Sequence, residues 1–394
     1  MSIYNRRIAC ITGGTGFRSV AKALASLYPN PTTVHVIGTA DSGRSTRRIR
    51  EFFGIPAIGD LRSRCIDLAD RRTLGYREIT DLLAYRLPNI ENKTALEDEF
   101  AAIIKGHHPL THAASAGNHK FTRIILANLK RFDEERKTIE LTKGSFDLKQ
   151  GSIGNFFLTG AYLDFGDISA ALFLYEQLAG VRGHVLPASE EIMHLAAEKV
   201  DGQVITGQHL ITKTDLGLQL KRLFFLEQED PQASEIKPRL SAEAAEAIKS
   251  SDLIVFSMGS FYTSLLSTLH LMGMSEAVRA SHALKVFIPN TIEDPEIRGM
   301  TTADMVKRLI ETLKGNDPVA REPDYLHVVI TGDRGKSLSL GTGRRLIPDD
   351  TKSLLGFGIE KTPLITEGEL TGYYQPEPLA DLLARLNYKP SGCP

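Results

Sequence analysis

The chain has 394 residues, 42% of them apolar, with 47 Lys/Arg against 48 Asp/Glu and a formal charge of −1. This ordinary composition can bury a large core, in two domains or in one large α/β domain. No run of 18 apolar residues occurs, the first residues lack a signal-peptide layout, and Cys10, Cys65 and Cys393 lie far apart, so a membrane span is excluded, disulfides and structural zinc are not expected, and a cytoplasmic location fits.

The first run, residues 7–12, is short, apolar and β-prone, and Gly13-Gly14-Thr15-Gly16 follows it. Residues 19–27 carry apolar side chains at helical spacing, Pro29 and Pro31 end that helix, and residues 33–39 read as a second strand. A right-handed βαβ unit with two parallel strands is expected. Residues 78–150 are more polar and predict a helical insertion or lid: an amphipathic helix within 88–105, then a loop over 106–119 rich in His, Ala, Ser and Thr. Helices are expected at 155–163 and 167–179, and a small antiparallel patch within 200–227. Apolar runs at 252–257, 284–289 and 325–330 read as buried strands, separated by helical patterns at 264–281 and 301–314. The alternation predicts an α/β fold, Rossmann-like and doubly wound, with a mainly parallel sheet over residues 1–330. Residues 331–394 read as a C-terminal extension with a short helix over 378–386.

Charge is unevenly spread. Residues 1–77 hold 13 Lys/Arg and five acids, which makes that third strongly cationic. An anionic ligand there, a phosphate more than a nucleic acid, fits so local a charge without interleaved aromatics; a solvated basic face is the plainer alternative. After a strand and before a helix, Gly13, Gly14, Thr15 and Gly16 form a turn whose backbone N–H groups suit a phosphate, because glycine permits close approach. In the string Gly14-Thr15-Gly16-Phe17-Arg18-Ser19 the third glycine of a dinucleotide fingerprint is replaced by Ser19, and a tight turn that binds nothing remains open. Asp41, 25 residues after Gly16, suits a ribose hydroxyl, a metal on a diphosphate, or a helix N-cap. Ser42 follows it, and Arg44, Arg47 and Arg48 share one helical face where guanidinium forks suit phosphate oxygens. Gly59-Asp60-Leu61-Arg62 sets an acid and an arginine after a Pro/Gly turn. A second strand-to-helix turn, Gly259-Ser260-Phe261-Tyr262-Thr263, would let one ligand lie across both turns, with Tyr262 stacking on a ring or packing in the core. His107, His108 and His112 lack a helix to fix them and a nearby acid, so no metal site is expected there. Gly335-Lys336-Ser337 fails as a Walker loop because position 330 is Ile.

Taken in order, Gly-Gly-Thr-Gly, Thr-Ala-Asp-Ser-Gly, Gly-Asp-Leu-Arg, Ser-Ile-Gly-Asn, Val-Leu-Pro-Ala and Gly-Ser-Phe-Tyr-Thr-Ser resemble the CofD/YvcK family. The stretches at 180–187 and 290–304 fit it too. The resemblance implies a nucleotide diphosphate, GDP- or UDP-type, bound at the carboxyl ends of the strands. One branch, like 2-phospho-L-lactate transferase, moves a phospho-carboxylate group from a guanylyl-diphosphate donor to a deazaflavin-type alcohol with Mg²⁺. The other, YvcK-like, is a non-catalytic UDP-sugar-binding regulator of carbon metabolism and cell-wall supply. The family's Ala-Asp-Asp-Gly-Gly-Ser-Ser-Gly is here Ala40-Asp41-Ser42-Gly43-Arg44-Ser45-Thr46-Arg47, with one acid and two glycines fewer.

On this basis Gly13, Gly14, Thr15 and Gly16 are expected to cradle phosphate, with Ser42, Arg44, Arg47 and Arg62 beside it. Asp41 and Asp60 are the expected catalytic residues and Mg²⁺ ligands. Asn155, Gly259, Ser260, Tyr262 and Thr263 are expected on the sugar or base side. The partners are the nucleotide and an unspecified acceptor, with neither nucleic acid nor membrane, in a homo-oligomer. An NAD-binding oxidoreductase is a third reading, resting only on Gly14, Gly16 and Asp41.

Overall fold

Ile8–Thr12 forms strand β1, buried along its whole length as an unbroken apolar run requires when both sheet faces are covered. Ile8 and Cys10 belong to one core and Ala9 and Ile11 to another, so the period-two alternation divides β1 between two packed layers. The computed structural model describes residues 6–27, 33–315, 319–333, 340 and 344–386, the Arg44 side chain excepted. The remaining strands are β2 (Thr33–Ile37), β3 (His184–Pro187), β4 (His194–Lys199), β5 (Val204–Thr206), β6 (Leu220–Leu226), β7 (Glu235–Ile236), β8 (Leu253–Phe256), β9 (Leu284–Phe287), β10 (Val328–Asp333) and β11 (Gly358–Pro363). Seven of them form one parallel sheet in the order β11-β10-β9-β8-β1-β2-β3. The chain winds outward from β1 to β3 and then, from β8, outward the other way. The switch point between β1 and β8 is where ligands of open α/β sheets bind. The expected antiparallel patch is a four-stranded sheet, β5-β4-β6-β7.

Helices cover both faces. Arg18–Leu27 buries Val20, Ala21, Leu24 and Ala25. The expected insertion is helical, but the loop is confined to residues 106–108: from Pro109 a helix runs to Lys143, departing from helical backbone only at Asn118. Pro109 occupies its first turn and His108 caps it, accepting the Leu110 N–H. His108 thus sits on a helix end and 3.9 Å from Glu99, correcting the expectation that no helix and no acid lie near these histidines. Still, no group of three potential metal ligands exists among the described residues. Phe132 of this helix stacks on Phe156 at 4.3 Å, tying it to the helix Ile153–Phe165.

The described residues beyond 331 do not hang as a tail. β11 pairs with β10 in parallel, and the helix Pro376–Arg385 buries Leu379 and Leu383 in the same core as Leu24. Gly335-Lys336-Ser337 lies outside the described residues. No helix among the described residues is long and apolar enough to cross a membrane.

Candidate functional site

The two glycine turns come together, though glycine is needed there for packing within the protein. A Cβ on Gly16 would lie 2.4 Å from the Gly259 Cα, on Gly13 2.6 Å from the Ser264 side chain, and on Gly14 2.1 Å from Asp60 Oδ1. The Gly14 N–H donates to Asp60 Oδ2 at 3.1 Å. A carboxylate of the protein therefore holds a donor that the sequence pattern reserves for phosphate. Thr15 and Gly16 are exposed at the tip of the turn.

Beside this turn opens a cleft of about 420 Å³. Three helices begin on it. Arg44–Phe53 contributes Ser45 and Thr46, Gly59–Leu68 contributes Asp60, Arg62 and Ser63, and Ile153–Phe165 contributes Asn155. Helix N-termini carry partial positive charge and unpaired N–H groups, which favours anions. Arg48, Arg62 and Arg86 add guanidinium groups to its lining. Partial desolvation, then Arg62 and Arg48, lower the pKa of Arg86, as crowding of like charges does. Arg62 is oriented by its Nε–H bond to Asn155 Oδ1 at 3.2 Å, and Asn155 Nδ2 reaches Ser45 Oγ at 3.4 Å.

Asp41 and Asp60 face the same cleft. Asp41 Oδ1 accepts the Gly43 N–H at 2.9 Å, and a Cβ on Gly59 would lie 2.9 Å from its Oδ2. Burial first, then the Asp41 charge, raises Asp60 from 3.8 to about 7, against the lowering effect of the Gly14 N–H, Arg64 and Arg62.

Other sequence-derived residues stand elsewhere. Arg44 opens its helix, and its side chain lies outside the described residues. Ser42 is buried: its hydroxyl lies 3.1 Å from His209 Nδ1 and accepts the His209 N–H at 3.0 Å. Arg47 turns away from the cleft toward Glu51 (2.6 Å), Glu229 (3.4 Å) and His209 (3.0 Å). Tyr262 takes the core alternative: it is fully buried and its hydroxyl donates to the Gly217 carbonyl at 2.9 Å. Thr263 is buried too, donating to Glu296 Oε1 at 2.6 Å. A Tyr262–Thr263 wall for base or sugar is therefore corrected to internal packing. Gly259 is clamped on both sides, its N–H donating to Asn290 Oδ1 at 3.1 Å and its carbonyl accepting from Asn290 Nδ2 at 2.8 Å. Ser260 is half-buried and precedes a π-helical turn, Phe261–Leu266.

Several residues of the site escaped the sequence reading. Arg86 and Gln150 arrive from distant parts of the chain, and no spacing announces them. Arg64 is wholly buried and donates to the Gly13 carbonyl at 2.9 Å, fixing the first turn from beneath. Glu296 accepts the Tyr262 N–H at 2.8 Å and the Thr263 N–H at 3.0 Å. Asn290 and Glu296 belong to the 290–304 stretch, which stood out in the sequence without a role.

The chain matches the family of 2-phospho-L-lactate transferase CofD over residues 8–340. A gluconeogenesis factor of Bacillus subtilis is 30% identical, with 77% of this chain and 74% of that protein covered. An uncharacterized protein of Saccharomyces cerevisiae is 25% identical over 78% of this chain and 82% of its own length. A crystal structure of a UPF0052-family protein from Bacillus halodurans shares the fold, with a TM-score of 0.69 at 22% identity over 96% of this chain and 99% of that one.

Proposed function

This chain belongs to the 2-phospho-L-lactate transferase CofD family, and on that premise we propose that its cleft binds a nucleotide diphosphate and transfers a phospho-carboxylate group from a guanylyl-diphosphate donor to an alcohol acceptor. The observation that carries this reading is the Asp41–Asp60 pair set among Arg48, Arg62 and Arg86 where three helices begin. Arg62 and the helix N-termini hold the phosphates and neutralise their charge. Asp60, titrating near neutrality, takes the proton of the acceptor hydroxyl. The acceptor oxygen forms its bond to the β-phosphorus as the bond from that phosphorus to the bridging oxygen breaks, and the nucleoside monophosphate leaves with the electron pair. Alignment and charge neutralisation supply most of the acceleration in such a step.

Asp41 fits Mg²⁺. Gly43 engages one of its oxygens, leaving the second free, and Mg²⁺ is commonly held by one or two carboxylates plus substrate phosphates and water. Bound there, it would add positive charge at the diphosphate.

The relative in Bacillus subtilis named a gluconeogenesis factor favours a second reading, a non-catalytic regulator that binds a UDP-sugar. Thermal-shift measurements with GDP, UDP, UDP-N-acetylglucosamine and a deazaflavin, each with and without Mg²⁺, separate the two. A ligand at 100 times its dissociation constant stabilises by about 2.7 kcal/mol. Transfer chemistry expects a GDP shift that grows with Mg²⁺, and Asp41→Asn that abolishes turnover while still binding nucleotide. A metal-indifferent shift with the UDP-sugar alone selects the regulator. No shift with any nucleotide sinks both.

A further inference from the structure

Gln150 is the non-glycine residue with positive φ among the described residues, at 55°. It is the third residue of a turn closed by the Gly151 N–H to the Leu148 carbonyl at 2.9 Å, a position that glycine or asparagine usually takes because a Cβ there is strained. The surroundings enforce the conformation. The Gln150 N–H donates to Pro88 O at 3.3 Å, the Leu87 N–H donates to Gly151 O at 2.9 Å, and Arg86 Nη1 donates to the Gln150 carbonyl at 3.2 Å. Gly151 has no freedom to change, since a Cβ on it would lie 2.3 Å from the Phe156 ring. The same Gln150 lines the cleft with Arg62, Arg86 and Asn155. Strain that the surrounding structure over-determines, located at a ligand cleft, points to a side chain needed there.

Resting on the nucleotide-diphosphate reading of the cleft, we infer that Gln150 is a specificity-determining ligand contact, and that its left-handed backbone is retained to present the amide. A carboxamide both donates and accepts. Next to guanidinium groups that take phosphate, it suits a hydroxyl- or carboxylate-bearing group carried on the diphosphate. Gln150 therefore separates a conjugated nucleoside diphosphate from the bare one.

The test is calorimetric titration of the full chain with UDP, GDP, UDP-N-acetylglucosamine and GDP-mannose, using wild type, Gln150→Gly and Gln150→Ala, with melting temperatures of the ligand-free proteins. Wild type is expected to prefer a conjugate over its bare nucleotide, and both variants to reduce that preference about tenfold while binding the bare nucleotide as before. Gln150→Gly, relieved of strain, is expected to melt about 2 °C higher than wild type, and Gln150→Ala is not. A preference unchanged in the variants, a wild type that does not discriminate, or a lower melting temperature for Gln150→Gly overturns this inference while leaving the cleft reading intact. A wild type that binds none of the four overturns the reading beneath it as well.

Discussion

Asp60 joins the glycine turn to the cleft, and its ionisation has a sign that can be read in solution. Its pKa is raised in the folded protein, from 3.8 to about 7, by burial and then by Asp41. The stability it contributes is complete below about pH 4 and is lost as pH rises through about 7. The melting temperature of Asp60→Asn should therefore rise relative to that of wild type as pH goes from 4 to 7; a constant difference would show that Asp60 titrates normally. Arg62 makes a different kind of contribution. With its Nε–H held by Asn155, its remaining N–H groups are pre-aimed, and charge-assisted bonds to phosphate contribute roughly 1.5–3 kcal/mol. Arg62→Ala should weaken nucleotide binding about tenfold or more in titration calorimetry, and the deficit should shrink at high salt. An affinity equal to wild type would place the phosphates elsewhere. At this scale Asp41, Asp60, Arg62 and Asn155 were legible because each lies next to a turn or helix start written in its own segment. Arg86 and Gln150 were not, because only the tertiary fold brings them to the cleft. Tyr262 carries both a ring and a hydroxyl, so its type alone left stacking and packing open; the Gly217 carbonyl decided for packing.

Among the elements, the π-helical turn after β8 shows how a carboxylate can hold backbone in place. Glu296 Oε2 takes two N–H groups and Oε1 the Thr263 hydroxyl, all inside the protein, and burial raises its pKa despite them. Glu296→Ala leaves two buried N–H groups without an acceptor, the Thr263 hydroxyl still having Thr212 Oγ1 at 3.3 Å, and should cost about 2–3 kcal/mol in chemical denaturation. Glu296→Gln keeps one carbonyl oxygen for the two N–H groups while the Thr263 hydroxyl can rotate to accept, so it should retain most of the stability. Equal losses for both would mean that the charge itself, rather than the accepting oxygens, holds the turn. The long helix Pro109–Lys143 was misread as partly loop for a related reason. Its first turns bury only Thr111 and Ala114, residues too small to register as apolar periodicity, and Gly117-Asn118 adds a turn-like pair. Its second half buries Ile125, Leu129 and Phe132 at helical spacing. The strands were easier to read, since burial on both faces leaves continuous apolar runs.

For the molecule as a whole, the alternation of strands and helices foretold the doubly wound sheet but not its completion. Nothing in the polar, turn-rich segment after residue 331 indicates that β11 adds to the edge of the sheet, because that strand buries only Thr362 fully. The sheet is assembled from distant pieces. Ile8 pairs with Leu253, and the helix Arg18–Leu27 shares a core with Pro376–Arg385. On the ribosome, elongating at about 5–20 residues per second, β1 waits on the order of 10–50 s for its neighbour β8 to be made. During that interval one edge of a bare Ile-Ala-Cys-Ile strand is open to any other extended segment, including another nascent copy. Yield in a cell should therefore follow how well holding chaperones cover the first third of the nascent chain, more than the stability of the finished protein.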